Sequence, residues 1–197
     1  MTRPALFLAS GSPRRRELLT SWGFAFQLLH VDVPERRAPG EAPRDYVLRV
    51  SRDKARAGFD TLTPEQQATA VVLAADTEVV LADRVYGKPH DAADACAMLR
   101  SLCGRAHEVL TAVVVRSAHI EHAEININRV VFAPLSDDQI AAYVATGEPE
   151  GRAGGYATQG RAALFTERIE GSHTGVMGLP AFETAQLLAR VGITPAC

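Results

Sequence analysis

The chain has 197 residues, of which 47% are hydrophobic and 22% charged, with 21 basic and 23 acidic side chains. This composition is typical of a globular protein and excludes collagen-like, coiled-coil and disordered chains. A formal net charge of −2 gives no overall attraction to nucleic acid or to an anionic membrane, so we expect neither as a partner. The length predicts one domain over residues 1–197, built as two packed lobes.

The sequence carries no pattern for a membrane span, for export or for a structural zinc site. The longest apolar runs, such as residues 71–75, are far shorter than the ~20 residues that cross a bilayer. The first residues contain no convincing cleavage site for a signal peptide. Cys96, Cys103 and Cys197 are odd in number and lack Cys-x-x-Cys spacing. These features indicate neither a disulfide framework nor zinc, and they favour a reducing cytoplasm.

Strand and helix patterns alternate through the first part of the chain. In chain order they predict a strand at 5–9, a helix at 13–22, a strand at 24–31, a helix at about 44–57 and a strand at 71–75. Ser12 directly precedes Pro13 and is placed to cap the first helix. Lys54 lies on the apolar stripe of the second helix, so we expect its side chain to point inward.

The second part of the chain predicts a long hairpin between helices. In chain order the elements are short strands at 79–81 and 84–86, a helix at 91–102, strands at 107–116 and 120–132, a helix at 136–146, a strand at 164–169 and a helix at 181–190. Ser136 and Gln139 form a capping-box pattern. Residues 147–160 hold five glycines and cannot be regular throughout. The alternation predicts an α/β fold, with a mixed, twisted sheet and flanking helices.

Three consecutive arginines, Arg14, Arg15 and Arg16, occupy the first turn of the first predicted helix. The helix dipole already places positive charge there, so these side chains are unfavourable unless an anion binds. Together with Ser10 and Ser12 they form a candidate phosphate site at a helix N-terminus. A solvated basic face is the alternative interpretation. Neither the P-loop nor the Rossmann glycine pattern occurs.

Two acids, two lysines and a glutamine complete the set of candidate site residues. Asp76 ends a buried strand, where it is either a metal ligand or general base, or simply a turn aspartate. Glu35 alone is an exposed loop acid, but the oxygens of the two acids would suit Mg²⁺ if they meet. Lys54 and Lys88 are either contacts to the same anion or solvated side chains. Gln159 either hydrogen-bonds a heterocycle or is exposed in its loop.

In their order along the chain, these residues closely resemble the Maf family of nucleoside triphosphate pyrophosphatases. The resemblance covers about residues 6–190 and begins with Leu-Ala-Ser-Gly-Ser-Pro-Arg-Arg-Arg at 8–16. It continues with Glu35, Lys54-Ala55, Ala-Asp-Thr at 75–77, Gly-Lys-Pro at 87–89, Gly-Glu-Pro at 147–149, Gln159-Gly160 and Gly-Leu-Pro at 178–180. The ordered combination leaves chance a poor explanation.

The resemblance implies two lobes around a central cleft, as in Maf and ITPase-like proteins, and hydrolysis of a nucleoside triphosphate to the monophosphate and pyrophosphate. It implies a divalent metal cation, Mg²⁺ or Mn²⁺, and a homodimer as a family-level expectation. By the same resemblance, the triphosphate is held by Ser10, Arg15, Lys54 and Lys88. Glu35 and Asp76 help to bind the metal, and Asp76 is the catalytic proton acceptor.

Three positions favour the branch of the family that acts on dTTP and UTP. The 7-methyl-GTP branch carries Trp, Gln and Glu where this chain has Arg14, Thr77 and Gln159, the three substrate-specificity positions. A neutral pyrimidine edge pairs well with a glutamine amide, whereas a cationic methylguanine favours an aromatic face and a carboxylate. Departures from the family pattern occur at residues 151–154, Gly-Arg-Ala-Gly, and 171–173, Gly-Ser-His. The alternatives are a 7-methyl-GTP pyrophosphatase and a nucleotide-sensing regulator of septum formation without significant turnover.

Overall fold

A computed structural model describes residues 4–195 and shows in them a seven-stranded mixed sheet flanked by helices. The strands are β1 Ala5–Ala9, β2 Gln27–Leu29, β3 Ala70–Leu81, β4 Arg84–Tyr86, β5 Ala106–Arg116, β6 Glu121–Phe132 and β7 Thr166–Glu170. The helices are α1 Pro13–Ser21, α2 Pro43–Asp60, α3 Pro64–Gln67, α4 Ala92–Leu102, α5 Asp137–Val144, α6 His173–Val176 and α7 Ala181–Arg190. Short 3₁₀ turns lie at Ala153–Gly155 and Arg161–Phe165. The predicted mixed α/β sheet is confirmed.

The sheet is ordered β2-β1-β3-β5-β6-β7, and β4 pairs with the far end of β3. The β1 strand is parallel to both of its neighbours, whereas each neighbouring pair among β3, β5, β6 and β7 is antiparallel. Leu8 of β1 pairs with Leu73, and β1 ends one residue later at Ala9. Since β3 continues to Leu81, its second half lacks β1 as a neighbour. A gap therefore opens beside β3 where α1 begins.

Three polar residues, Asp76, Thr77 and Glu78, lie on β3 between the hydrophobic clusters of its two halves. Before them, alternate β3 side chains pack on one face with α1 and α7 and on the other with α2. After them, Val79 belongs to a different core that contains residues of α4 and α5. Different hydrophobic clusters therefore lie on the two sides of the polar segment, and the long strands of one sheet connect them.

Several predicted boundaries were wrong. The sequence predicted separate strands at 71–75 and 79–81, but β3 is continuous because it pairs with β5 from Val72 to Val80 across the polar segment. The strand predicted at 24–31 shrinks to β2, which is paired with β1 at one edge of the sheet. The single-turn helices α3 and α6 were not predicted, since four residues are too few to show a helical period.

Within residues 4–195, no helix is long and apolar enough to cross a membrane. Cys96 and Cys103 are both free thiols. Cys197 lies outside the described residues, as do residues 1–3 of the segment considered for an export signal.

Candidate active site

Lys54 joins the two predicted carboxylates. Its Nζ lies 2.6 Å from Glu35 Oε1 and 2.7 Å from Asp76 Oδ1. Lys54 projects from the buried face of α2, Asp76 from β3, and Glu35 from the loop before α2. The Lys88 Nζ reaches the other Glu35 oxygen, Oε2, at 2.9 Å. Four predicted site residues therefore form one continuous chain of ion pairs.

These ion pairs keep Glu35 ionised. Burial alone would raise the pKa of Glu35, but the hydrogen bonds and positive charges of Lys54 and Lys88 outweigh it and lower the pKa to about 2. The two lysines differ in their surroundings, since the Lys54 side chain is 11% exposed and the Lys88 side chain 57% exposed. Lys54 is thus the interior cation of the site, and Lys88 lies at its solvent side.

Arg15 is held at the start of α1, in the gap beside β3. Its Nε donates to the carbonyl oxygen of Gly178 at 2.7 Å and its Nη2 to Thr77 Oγ1 at 3.0 Å, while Nη1 lies 3.5 Å from Ser10 Oγ. Burial lowers the pKa of Arg15, and the negative charges of Asp76 and nearby glutamates oppose that shift. An arginine remains charged in proteins, so the site contains a fixed buried cation.

Thr77 connects Arg15 to β5 through hydrogen bonds. Thr111 donates its only hydroxyl proton to the carbonyl oxygen of Gly175 at 2.8 Å. The 2.9 Å contact between the Thr77 and Thr111 hydroxyls therefore has Thr77 as donor. Thr77 in turn accepts from Arg15. The predicted specificity residue Thr77 is thus a direct hydrogen-bonding partner of Arg15.

The N-terminal end of α1 faces open space. Ser12 caps the helix as predicted, with its side chain accepting from the Arg15 amide. Ser10 is buried, and its Oγ accepts from the Ser12 amide at 3.1 Å. Apart from Gly11 and its two chain neighbours, no atom of residues 4–195 lies within 4 Å of the position where a Gly11 side chain would begin. This combination of a helix N-terminus, space and Arg15 is suited to an anion.

Glu78 was missed by the sequence reasoning. It lies two residues beyond Asp76, so both carboxylates are on one face of β3, and both are buried. Asp76 Oδ2 and Glu78 Oε2 find no hydrogen-bond partner among residues 4–195. Burial, together with the charges of Asp76 and Glu35, raises the pKa of Glu78 to about 8. The sequence feature that could have identified Glu78 is an acidic residue inside an otherwise apolar strand.

The predicted specificity residues Arg14 and Gln159 lie on separate segments. Arg14 is half-buried, and its pKa is lowered by burial and by the positive charge of Arg152, with partial compensation from Glu17 and Glu148. The start of α1 therefore lies within electrostatic reach of the glycine-rich segment. Gln159 is exposed near the end of that segment, outside the Lys54 ion-pair chain.

Comparison with known proteins shows to which family the chain belongs. Residues 5–191 match the family described as Maf-like protein. The chain belongs to the Maf family. A protein named dTTP/UTP pyrophosphatase from Xanthomonas campestris pv. campestris is 54% identical over 188 residues, covering 95% of this chain and 98% of that protein. One of the same name from Burkholderia pseudomallei (strain 1710b) is 51% identical over 193 residues, covering 94% and 92%.

The donor set of this Maf chain fits the divalent metal that the family implies. Its unpartnered oxygens, on Asp76 and Glu78, are buried carboxylate oxygens, which are the donors that Mg²⁺ and Mn²⁺ prefer. Among residues 4–195, however, no three His, Cys, Asp or Glu side chains are already arranged around a common point. Lys54 lies between Asp76 and Glu35 instead, so these two predicted ligands are linked through an ammonium group.

Among the departures of this Maf chain from the family pattern, Arg152 makes a side-chain contact and His173 lies at the start of a helix. Arg152 donates through Nε to the carbonyl oxygen of Glu148 at 2.5 Å, which ties together the loop that follows α5. His173 begins α6, where the preceding Ser172 accepts from the Gly175 amide as the N-cap. Arg152 thus anchors the loop with its side chain.

Proposed function

We propose that this Maf protein is a nucleoside triphosphate pyrophosphatase that hydrolyses dTTP and UTP to the monophosphate and pyrophosphate, and so removes surplus or non-standard nucleotides. The observation that carries the proposal is the convergence of Asp76, Lys54, Glu35, Lys88 and Arg15 on one gap in the sheet. The name carried by relatives 51–54% identical to it supports the choice of pyrimidine substrates.

The cations of the site would bind the triphosphate. Arg15 is fixed by its hydrogen bonds to Gly178 and Thr77, so it presents a preorganised guanidinium. Lys54 and Lys88 are paired with Glu35, and a polyanionic substrate would compete with that carboxylate for their ammonium groups. The Ser10 hydroxyl and the positive end of the α1 helix dipole would add to this anion site.

Asp76 would act as the general base. One of its oxygens is held by Lys54 at 2.7 Å, while the other has no partner among the described residues. The carboxylate is therefore oriented and still has a free acceptor. It would take a proton from water as the water oxygen bonds to the α-phosphorus and the α–β anhydride bond breaks. That role requires Asp76 to lie about 2.6–3.2 Å from the water.

A divalent cation, Mg²⁺ or Mn²⁺, would be held by Asp76 and Glu35 and would supply charge neutralisation of the phosphate oxygens. The nucleotide's phosphates and retained water would complete its coordination, because Mg²⁺ commonly uses only one or two carboxylates. Lys54 lies between these two acids, so the cation would compete with its ammonium group for their oxygens.

Arg14, Thr77 and Gln159 would set the substrate preference. A glutamine amide offers both a donor and an acceptor, which matches the O4 and N3–H edge of thymine and uracil. Thr77 would act through Arg15, to which it is hydrogen-bonded. We also infer a cytoplasmic location, which the free thiols of Cys96 and Cys103 support, and a homodimer, which rests on the family resemblance alone.

The proposal is tested by pyrophosphate release from dTTP, UTP, CTP and 7-methyl-GTP with Mg²⁺ or Mn²⁺. We expect dTTP and UTP to be hydrolysed with the highest kcat/KM, and the Asp76→Asn variant to lose turnover. Fastest hydrolysis of 7-methyl-GTP would assign the chain to the other branch. Tight nucleotide binding without turnover by the wild type would favour a sensor.

A further inference from the structure

We propose that Glu148 is a positioning residue whose carboxylate fixes the backbone that directly follows Gln159 and thereby sets the discrimination between bases. The proposal rests on the proposed function, in which Gln159 reads the base. Glu148 itself lies at the start of the glycine-rich segment, eleven positions before Gln159 in the sequence.

Three donors converge on the Glu148 carboxylate. Its Oε2 accepts from the Arg161 amide at 2.9 Å, and its Oε1 accepts from the Ala162 amide at 3.3 Å and from the Tyr143 hydroxyl at 2.9 Å. Arg161 and Ala162 open a 3₁₀ turn, where the first amides have no partner within the turn itself. Glu148 therefore caps this turn and connects it to α5, which contains Tyr143.

The close approach of Gly160 shows that the carboxylate and the loop are packed together. A Cβ atom at Gly160 would overlap the carboxylate group of Glu148. The φ of Gly160 is −104°, which other residues adopt, so space rather than backbone conformation requires the glycine. The Gly160 amide also donates to the carbonyl oxygen of Ala157 at 2.9 Å, closing a turn around Gln159.

Gln159 is consequently held from both sides. Ala157 and Thr158 before it are buried, and the residues after it are bound by Glu148, whereas Gln159 itself is exposed. The side chain is thus presented to solvent from a backbone that cannot easily move. A residue that reads a base needs this kind of support, since a small displacement of the amide weakens its hydrogen bonds.

A carboxylate is required because both oxygens accept. Glu148→Gln keeps the size of the side chain but replaces one acceptor by an NH₂ donor, which would face the Arg161 amide in one orientation and the Ala162 amide in the other. Glu150→Gln is a matched control, because Glu150 is exposed, lies two residues away and carries the same charge. Gly160→Ala tests the contact from the opposite side without altering Glu148.

The experiment measures amide hydrogen exchange of residues 158–163 and the kcat/KM ratio of dTTP to CTP. In Glu148→Gln and Gly160→Ala we expect faster exchange in this segment and a dTTP preference lower by about 10-fold, mainly through KM. Glu150→Gln should match the wild type. Inhibition by inorganic tripolyphosphate, which has no base, should be unchanged in all three variants.

Three results would overturn the inference. If Glu148→Gln and Gly160→Ala behave like Glu150→Gln while Gln159→Ala lowers the dTTP preference, Glu148 has no positioning role although Gln159 reads the base. If Gln159→Ala itself leaves the preference unchanged, the base-reading part of the proposed function fails, and the inference fails with it. An equal loss for tripolyphosphate would instead indicate general damage to the site and would also contradict the proposal.

Discussion

Replacing Lys54 tests whether its ammonium group compensates the buried charge of Asp76. Lys54→Met keeps the apolar stem and removes only the cation, which now contacts Asp76 at 2.7 Å and Glu35 at 2.6 Å. The Asp76 side chain is 8% exposed, so its carboxylate would stay buried with no opposite charge in contact. Breaking one side of a buried ion pair typically costs about 3–5 kcal/mol, and we expect about 3 because Glu35 is partly solvated.

Lys88→Met is the matched control. Lys88 pairs with the same Glu35, at 2.9 Å, but its side chain is 57% exposed. A pair of this kind contributes about 0–1 kcal/mol, because water solvates both groups. For a protein of this size about 1 kcal/mol shifts Tm by roughly 2–4 °C, so Lys54→Met should lower Tm by about 6–12 °C and Lys88→Met by no more than about 4 °C.

Urea unfolding at pH 7 with EDTA and without nucleotide measures both free energies. Asp76→Asn in the Lys54→Met background should recover part of the lost stability, because the uncompensated charge is removed. The reasoning is refuted if the two lysine variants are equally destabilised, or if Lys54→Met is as stable as the wild type.

Three other perturbations have defined outcomes. Asp76→Asn should lower kcat by about 100-fold or more while nucleotide binding persists, as followed by pyrophosphate release and calorimetry; near-normal turnover would remove Asp76 as the base. Burial lowers the pKa of His107, whose ring contacts the Tyr156 hydroxyl, to about 4. Because the folded protein resists protonation of this ring, His107 contributes up to about 3 kcal/mol to the free energy of unfolding above the unfolded pKa of 6.5, and this contribution is lost as the pH falls from 6.5 to 4. Urea unfolding at a series of pH values should show this loss in the wild type and not in His107→Asn. Gly154→Ala should lower Tm, because Gly154 has a φ of +69° and a Cβ would lie 2.9 Å from Val79; an unchanged Tm would show that the turn relaxes freely.

Much of the fold could be predicted from the sequence because the capping residues and the hydrophobic periodicity indicated the same elements. The Ser12 cap and the capping box of Ser136 with Gln139 both formed as predicted, and α7 spans the predicted residues 181–190. The continuity of β3 could not be predicted, since it depends on pairing with β5, whose paired residues lie from 28 positions (Val80 with Glu108) to 44 positions (Val72 with Arg116) away in the sequence. Periodicity records which face a residue occupies, but it does not record which distant strand pairs with it.

The sequence predicted which residues belong to the candidate site better than it predicted the contacts between them. The inward orientation of Lys54 followed from the helical stripe, and the structure confirms it. Arg15 was ambiguous between a phosphate contact and a solvated basic face, and its burial shows that it does not belong to a solvated face. Glu78 and the contacts of Glu148 were missed, because both depend on packing between segments separated in sequence. The catalytic and metal-binding roles of these residues are still predictions.

Hydrolysis in ¹⁸O-labelled water tests the central claim that the site directs water to the α-phosphorus. The products of dTTP hydrolysis are separated, and the isotope content of each is measured by mass spectrometry. Our account predicts one ¹⁸O atom in thymidine monophosphate and none in pyrophosphate at early times. Label in pyrophosphate would place the attack on the β-phosphorus and would contradict the assignment of Asp76 and the cations around it.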